Sequence, residues 1–252
     1  MPTINCDLHI HSNASADGHC PVEKILETAK ARGLDAVAIT DHDTTAGAVR
    51  ALSLQTGVLI IPGIEVSTKD GHVLVLGTTK EYEPGKPARE TIAEAKADGC
   101  VTIIPHPYHY FRHAVGLRDR KALLEADAVE AYNSRYYIGT ANSKAARIAR
   151  RYKKPITAGS DAHDCEYVGF GENLIEAEER SVEAILAALK AGKITARCTK
   201  TPVSTYLRQS KNNVKRKIRR QLARLSRTRP HEAGSCCRIL RAGLCRLPVP
   251  AG

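Results

Sequence analysis

The sequence predicts an α/β fold, either a parallel β/α barrel or an open doubly wound sheet, on three observations. Short β-branched runs alternate with helical stretches across the first two hundred residues. Those runs are nearly continuous apolar segments rather than alternating ones, the pattern of strands buried on both faces. The chain has 252 residues with 42% hydrophobic content, enough for one large core that needs neither metal nor disulfide merely to fold.

Strands are expected over Ile4–Ile10, Ala36–Thr40, Val58–Ile64, His72–Gly77, Val101–Ile104, Ala128–Tyr132 and Pro155–Ala158. Helices are expected over Pro21–Arg32, Thr44–Gln55, Ala88–Asp98, Ile138–Arg151 and Ser181–Ala191. Gly33 and Gly99 supply C-terminal stops, Thr44 or Thr45 can cap the second helix, and Ser181 opens the last. No run approaches the roughly 18 consecutive apolar residues of a membrane span. The N-terminus lacks the basic start and apolar stretch of a secretion signal. None of the eight cysteines forms a CxxC pair. The expectation is therefore a cytoplasmic protein with reduced thiols, those in the body serving as small apolar residues.

The net charge of +11 is unevenly placed. Residues 200–252 hold 14 Lys or Arg and one acid, Glu232, for a net +13, which leaves −2 for residues 1–199. Three segments follow: a domain over 1–199, a basic amphipathic helix over 200–227, and a tail over 228–252 expected to be disordered. Within the helix, Leu207, Val214, Ile218, Leu222 and Leu225 fall at helical spacing among Lys and Arg. This helix either packs its stripe on the barrel or attracts a polyanion such as nucleic acid. Tyr206 stands nearly alone as an aromatic, so any such binding is expected to be electrostatic and sequence-independent.

In a parallel α/β fold, function gathers at the carboxyl ends of the strands. The first strand ends in Asp7-Leu-His9-Ile-His11, followed by Asp17 in a turn, and the second ends in Thr40-Asp41-His42-Asp43. The third ends in Gly63-Ile-Glu65, the fourth begins at His72, the fifth ends in Pro105-His106-Pro107, and the seventh ends in Gly159-Ser-Asp161-Ala-His163. His9 and His11, two apart on an extended segment, point the same way and can chelate one ion, and Asp161 with His163 repeats that spacing. Imidazole with carboxylate suits Zn, Mn or Fe rather than Ca. A single such histidine is as readily a hydrogen-bonded core residue, but that does not account for five motifs at successive strand ends. Nine N and O ligands exceed what one ion can use, which implies a cluster of two or three.

The segments DLHIHS, ITDHDT, IPGIEVST, IIPHP and AGSDAH resemble, in order and spacing, the motifs of the PHP (polymerase and histidinol phosphatase) superfamily over roughly residues 4–165. The resemblance implies a distorted seven-stranded β/α barrel, TIM-like, with a phosphoesterase centre of two or three divalent ions (Mn, Zn or Fe, with Mg an alternative). By the same resemblance, His9, His11, Glu65 and Asp161 would hold one ion, and Glu65 would bridge to a second held by His72 and His106. Asp17, His42 and His163 would hold the third. Asp17 stands where many relatives carry His, as in some nucleotide-directed members. The implied reaction is metal-assisted hydrolysis, in keeping with the absence of a GxSxG elbow, a Walker loop or a CxxxxxR signature. Phosphomonoesters or terminal phosphodiesters of nucleotides or short oligonucleotides are the leading substrates. A histidinol-phosphate-type metabolite phosphatase and a non-catalytic, metal-stabilised nucleic-acid-binding domain are the alternatives. Arg135, after Asn133 at the end of the sixth strand, is the first candidate for a non-metal donor to developing charge, with Arg112 and His109 next. Asp41 and Asp43 flank His42 and could orient an imidazole, or Asp43 could cap a helix. His19 and His231 have no assigned role.

Overall fold

The computed structural model describes residues 1–110, 112–136, 140–202 and 204. The strands are β1 (Thr3–Ile10), β2 (Ala36–Ile39), β3 (Leu59–Ser67), β4 (His72–Leu76), β5 (Val101–Ile104), β6 (Ala128–Asn133), β7 (Ile156–Gly159), β8 (Gly171–Glu176) and β9 (Ile194–Cys198). The helices are α1 (Val22–Ala31), α2 (Ala46–Leu52), α3 (Ala88–Ala97), α4 (Val115–Arg118), α5 (Arg120–Glu125), α6 (Ala141–Arg151) and α7 (Val182–Lys190). The tail expected over 228–252, and the helix expected over 200–227 apart from residues 200–202 and 204, lie outside the described residues.

All nine strands form one sheet in the order β7-β6-β5-β4-β3-β2-β1-β8-β9. The sheet curls until its seven-stranded portion nearly closes. Ile10 bridges Ala162 just beyond β7, with the Asp161 amide donating to the His9 carbonyl and the His11 amide to the Ala162 carbonyl, both at 2.9 Å. Only the first half of β1 pairs with β8, Thr3–Cys6 against Glu176–Asn173. Where the pairing splits, the Asn173 amide stands in for a strand. It donates to the Cys6 and Ala158 carbonyls at 3.1 and 2.8 Å and accepts from the Ala158 amide at 2.8 Å. Gly171 lies so close to β7 that a Cβ there would sit 2.2 Å from the Gly159 carbonyl carbon.

The expected β/α barrel is present, with two differences. It is not wholly parallel, because β4 runs antiparallel to both β3 and β5. Among the described residues it also has nine strands rather than seven, β8 and β9 extending the sheet past β1 as an antiparallel pair. The glutamate-rich run before Arg180 hides β8, and half-exposed β9 offers too little apolar pattern. Short α4 and α5 were likewise absent from the expected elements. The reversal at β4 has a functional consequence: it sets His72, at the strand's start, opposite Ser67 at the end of β3, on the rim where the other strands end.

Three apolar clusters layer this architecture. Ile4, Cys6, Leu8, Ala38, Ile61, Leu74, Ile103 and Ala128 converge from six strands inside the barrel, where Ile185, Ala188 and Leu189 of α7 join them. Outside, α1 and α2 cover Val37, Ile39 and Ile60, while α3, α5 and α6 cover Val73, Val75, Ile104 and Val129. Each large aliphatic side chain so buried contributes about 1.5–3 kcal/mol relative to exposure. Ser181 caps α7 as expected, accepting from the Ala184 amide at 3.2 Å. Thr45 holds the N-cap position of α2 without a side-chain bond, and the Thr44 hydroxyl accepts from the Ala46 amide instead.

Cys20 and Cys165, 145 residues apart in the chain, are joined as a disulfide. This corrects the expectation that every cysteine of the body is a free thiol. The reason is tertiary: the rim contact between β1 and β7 brings together two loops whose sequence spacing carries no pairing signal. Cross-linking so long a loop restricts the unfolded chain, an effect on the order of 2–4 kcal/mol. Adding a dithiol reductant, or substituting both residues by alanine, is expected to lower the urea midpoint accordingly. An unchanged midpoint would show that the link adds nothing to stability.

Candidate metal centre

Local irregularities aim the rim side chains. Ile4, Cys6 and Leu8 face the barrel interior, whereas Ile10 packs outward with α1 and α2. A register shift between Asp7 and Ile10 switches the phase of β1, so that His9 and His11 face inward together. Strand β6 carries a second shift, between Glu130 and Tyr132. Glu130 and Asn133, three apart, thereby reach the same side and meet at 2.7 Å. Two rim residues, His106 and Asp161, adopt left-handed backbone angles (φ 31° and 49°), a conformation that costs side-chain-bearing residues about 1–3 kcal/mol and clusters at functional sites.

The structure brings all nine candidate ligands to one rim, in four overlapping groups whose ligand atoms lie within 4.8 Å of one another. Glu65 is the hub. Its Oε2 lies 3.2 Å from His9 Nε2, 3.1 Å from His11 Nε2 and 3.5 Å from His42 Nδ1. Its Oε1 lies 3.2 Å from His106 Nε2 and 3.0 Å from His72 Nδ1. Asp161 Oδ1 stands 3.9 and 3.7 Å from the same nitrogens of His9 and His11. At the outer end, Asp17 Oδ2 lies 2.9 Å from His163 Nε2 and 3.7 Å from His42 Nε2.

These spacings fit divalent cations. Two tetrahedral ligands about 2.1 Å from an ion are roughly 3.4 Å apart, within the range seen here. The buried Nδ1 atoms of His42 and His72 have no hydrogen-bond partner, although Glu65 is close to both. Lone pairs from imidazole and carboxylate aimed at a common point suit a cation better than they suit one another.

The electrostatics follow from burial and crowding. Burial alone would raise the Glu65 carboxyl, but His42, His9 and His72 hold it well below the usual carboxylate range. Asp161 is likewise held low against burial by Arg112, Arg135, His9 and His163. Burial would depress His9, yet Glu130, Glu65 and Asp161 raise it well above an ordinary imidazole. His163 goes the other way, pushed down to about 3 by burial and by the adjacent Arg135.

Of the further candidates, Arg135 is buried, its Nη1 lying 2.6 Å from His163 Nδ1 and 3.3 Å from Asp161 Oδ1. Arg112 Nη1 contacts Asp161 Oδ2, and Asn133 Nδ2 donates to that same oxygen at 3.1 Å. His109, in the Arg112 loop, sets its ring edge-on to Tyr136 at 5.1 Å, and burial with Arg112 nearby lowers it to about 4. Asp41 was expected to orient an imidazole. Its oxygens instead accept from the Ser12 amide and hydroxyl at 2.6 and 2.7 Å, fixing the turn after His11. Asp43 does not cap α2; it accepts from the Ser67 amide at 2.7 Å and secures the end of β3.

Two buried acids have roles that the sequence does not assign. Asp7, fully buried, accepts from the Gly169 amide at 2.7 Å and the Ser160 amide at 3.3 Å, and burial pushes its carboxyl up to about 7. Glu130, also buried, lies 2.7 Å from His9 Nδ1. A lone acid inside the apolar run Ala128–Tyr132 was the available signal.

A near-closed α/β barrel with a rim of converging imidazoles and carboxylates is the architecture of a metal-binding barrel protein. Comparisons narrow it. The PHP-associated family, PHP_C, matches residues 139–194. An uncharacterized protein of Methanocaldococcus jannaschii, MJ1587, is 35% identical over 152 residues, 56% of this chain and 88% of that one. The phosphoribosyl 1,2-cyclic phosphate 1,2-diphosphodiesterase of Eggerthella lenta is 46% identical over 90 residues, 32% of each chain. The 3′,5′-nucleoside bisphosphate phosphatase of Chromobacterium violaceum is 36% identical over 90 residues, 33% of this chain and 30% of that one. The matches to these two named enzymes thus span about a third of their length. Among solved structures, a two-domain protein of Bacteroides vulgatus containing a predicted PHP-like metal-dependent phosphoesterase shares the fold. It superposes with a TM-score of 0.65 at 20% identity, covering 79% of this chain and 65% of that one. The chain belongs to the PHP superfamily of metal-dependent phosphoesterases. Among the described residues, no helix is long and apolar enough to cross a membrane.

Proposed function

We propose that this chain hydrolyses phosphomonoesters or terminal phosphodiesters of nucleotides or short oligonucleotides at a centre of two or three divalent ions. The observation that carries the reading is Glu65, whose two oxygens face two separate imidazole sets. His9, His11, Asp161 and Glu65 would hold one ion, Glu65, His72 and His106 a second, and Asp17, His42 and His163 a third. Bound there, the ions supply a water of lowered pKa and Lewis acidity toward phosphoryl oxygens. The remaining work falls to the protein. Arg112 and Arg135 converge on Asp161 from two sides, which puts two guanidinium groups where phosphoryl charge develops. Asn133 holds Asp161 in place. No side-chain nucleophile is required.

The nucleotide preference is supported by Asp17 in the third ligand group and by the named activities of the two enzyme relatives, one on a cyclic phosphoribosyl ester and one on nucleoside bisphosphates. The basic segment after residue 199 supports a polyanionic substrate. Thr201 is buried, and its amide donates to the Ser134 carbonyl at 3.0 Å, one residue from Arg135.

Protein supplied with Mn²⁺ is expected to hydrolyse p-nitrophenyl phosphate or a nucleoside bisphosphate, and EDTA to abolish this. His9→Ala or Asp161→Ala should reduce turnover to background, and Arg112→Ala should cost on the order of 10²-fold. Wild-type turnover in the first two variants would mean the centre is elsewhere. For the basic segment, labelled RNA should bind the full chain in a salt-sensitive manner and a chain ending at Pro202 at least tenfold more weakly. Equal, salt-independent binding by both would contradict that role.

A further inference from the structure

We infer that Glu130 is the positioning residue that locks the His9 side of the proposed metal centre, a role resting on the metal reading above. Its side chain is 1% exposed and both of its oxygens are used. Oε2 lies 2.7 Å from His9 Nδ1. Oε1 accepts from the His106 amide at 3.1 Å and from Asn133 Nδ2 at 2.7 Å. Asn133 continues to Asp161 Oδ2 at 3.1 Å. One carboxylate thus ties together three candidate ligands from three strand ends: His9 through its ring, His106 through its backbone, and Asp161 through Asn133.

The ring contact has a chemical consequence. An acceptor on Nδ1 keeps that nitrogen protonated, so Nε2, which faces Glu65 and His11, is the nitrogen whose lone pair would go to an ion on that side. The remaining oxygen must also accept, because a backbone amide and an asparagine NH₂ both point at it. Only a carboxylate accepts on both ends. Glutamine, nearly identical in shape, offers one acceptor and one donor, so either orientation sets a donor against a donor or directs an N–H at His9 Nδ1. The second orientation would move the proton to Nε2 and block ligation. The fit is built for this side chain, since a Cβ at Gly159 would fall 2.1 Å from Glu130 Oε2 and 2.9 Å from the His9 Cβ.

Mn²⁺ binding by the metal-stripped full chain, measured by calorimetry beside a thermal melt of each variant, tests the assignment without relying on turnover. Glu130→Gln should weaken the tightest class of Mn²⁺ site by 10–100-fold, a span typical for loss of a carboxylate behind a ligating histidine, while still melting cooperatively. Glu130→Asp keeps both acceptors and should recover more affinity than Glu130→Gln, although it fills less space. A purely packing role predicts the reverse order, because glutamine preserves the volume. Glu130→Gln binding within threefold of wild type, or the reversed order, would overturn the assignment. A wild-type chain that takes up no Mn²⁺ would overturn the metal centre itself, and this role with it.

Discussion

Glu65 carries an almost fully buried carboxylate into a shell of five imidazoles from four different stretches of the chain. Burying that many polar groups is costly unless each finds a partner. Hydrogen bonds among the groups satisfy only part of the demand, because unprotonated nitrogens and carboxylate oxygens are all acceptors. Divalent ions at their common centres would resolve the conflict. The rest of the rim can be understood as the means of holding that arrangement still.

Holding it requires departures from regular structure. The bulges in β1 and β6 turn His9 and Glu130 inward, the reversal of β4 delivers His72, and His106 and Asp161 sit at unfavourable backbone angles. Strain of this kind persists only where surrounding contacts over-determine it. Here the near-closure of the sheet does so, through the β1–β7 amide bonds, the Asn173 bridge, and the Cys20–Cys165 link between the loops that carry Asp17 and His163. Fold closure and site geometry are therefore coupled, and both depend on the meeting of the first and seventh strands.

The sequence made the candidate ligands legible because metal chemistry admits few residue types and strand geometry places them at fixed spacings. The paired motifs at His9/His11 and Asp161/His163 are local patterns, and seven of the nine strands showed as apolar runs. What stayed hidden was decided by tertiary contacts. The direction of β4 depends on the turn at residues 68–71 rather than on its apolar run. Strands β8 and β9 are stabilised by pairing on β1 rather than by their own composition. The Asp41 carboxylate reads as a neighbour of His42, yet serves Ser12 across the loop. Glu130 showed only as an acid in an apolar strand, because its partners come from two other strand ends and its inward aim from a register shift.

On the proposed reading, substrate choice would rest on what surrounds this core: Arg112, Arg135 and the Asp17 end. The central claim concerns the ions, and metal content tests it most directly. Elemental analysis of protein loaded with Mn²⁺ and freed of excess metal should find two or three ions per chain, falling to one or none in Glu65→Gln, whose side chain would lose its bridging charge. A wild-type chain that retains no ion, or a Glu65→Gln chain that retains as many as wild type, would contradict the account.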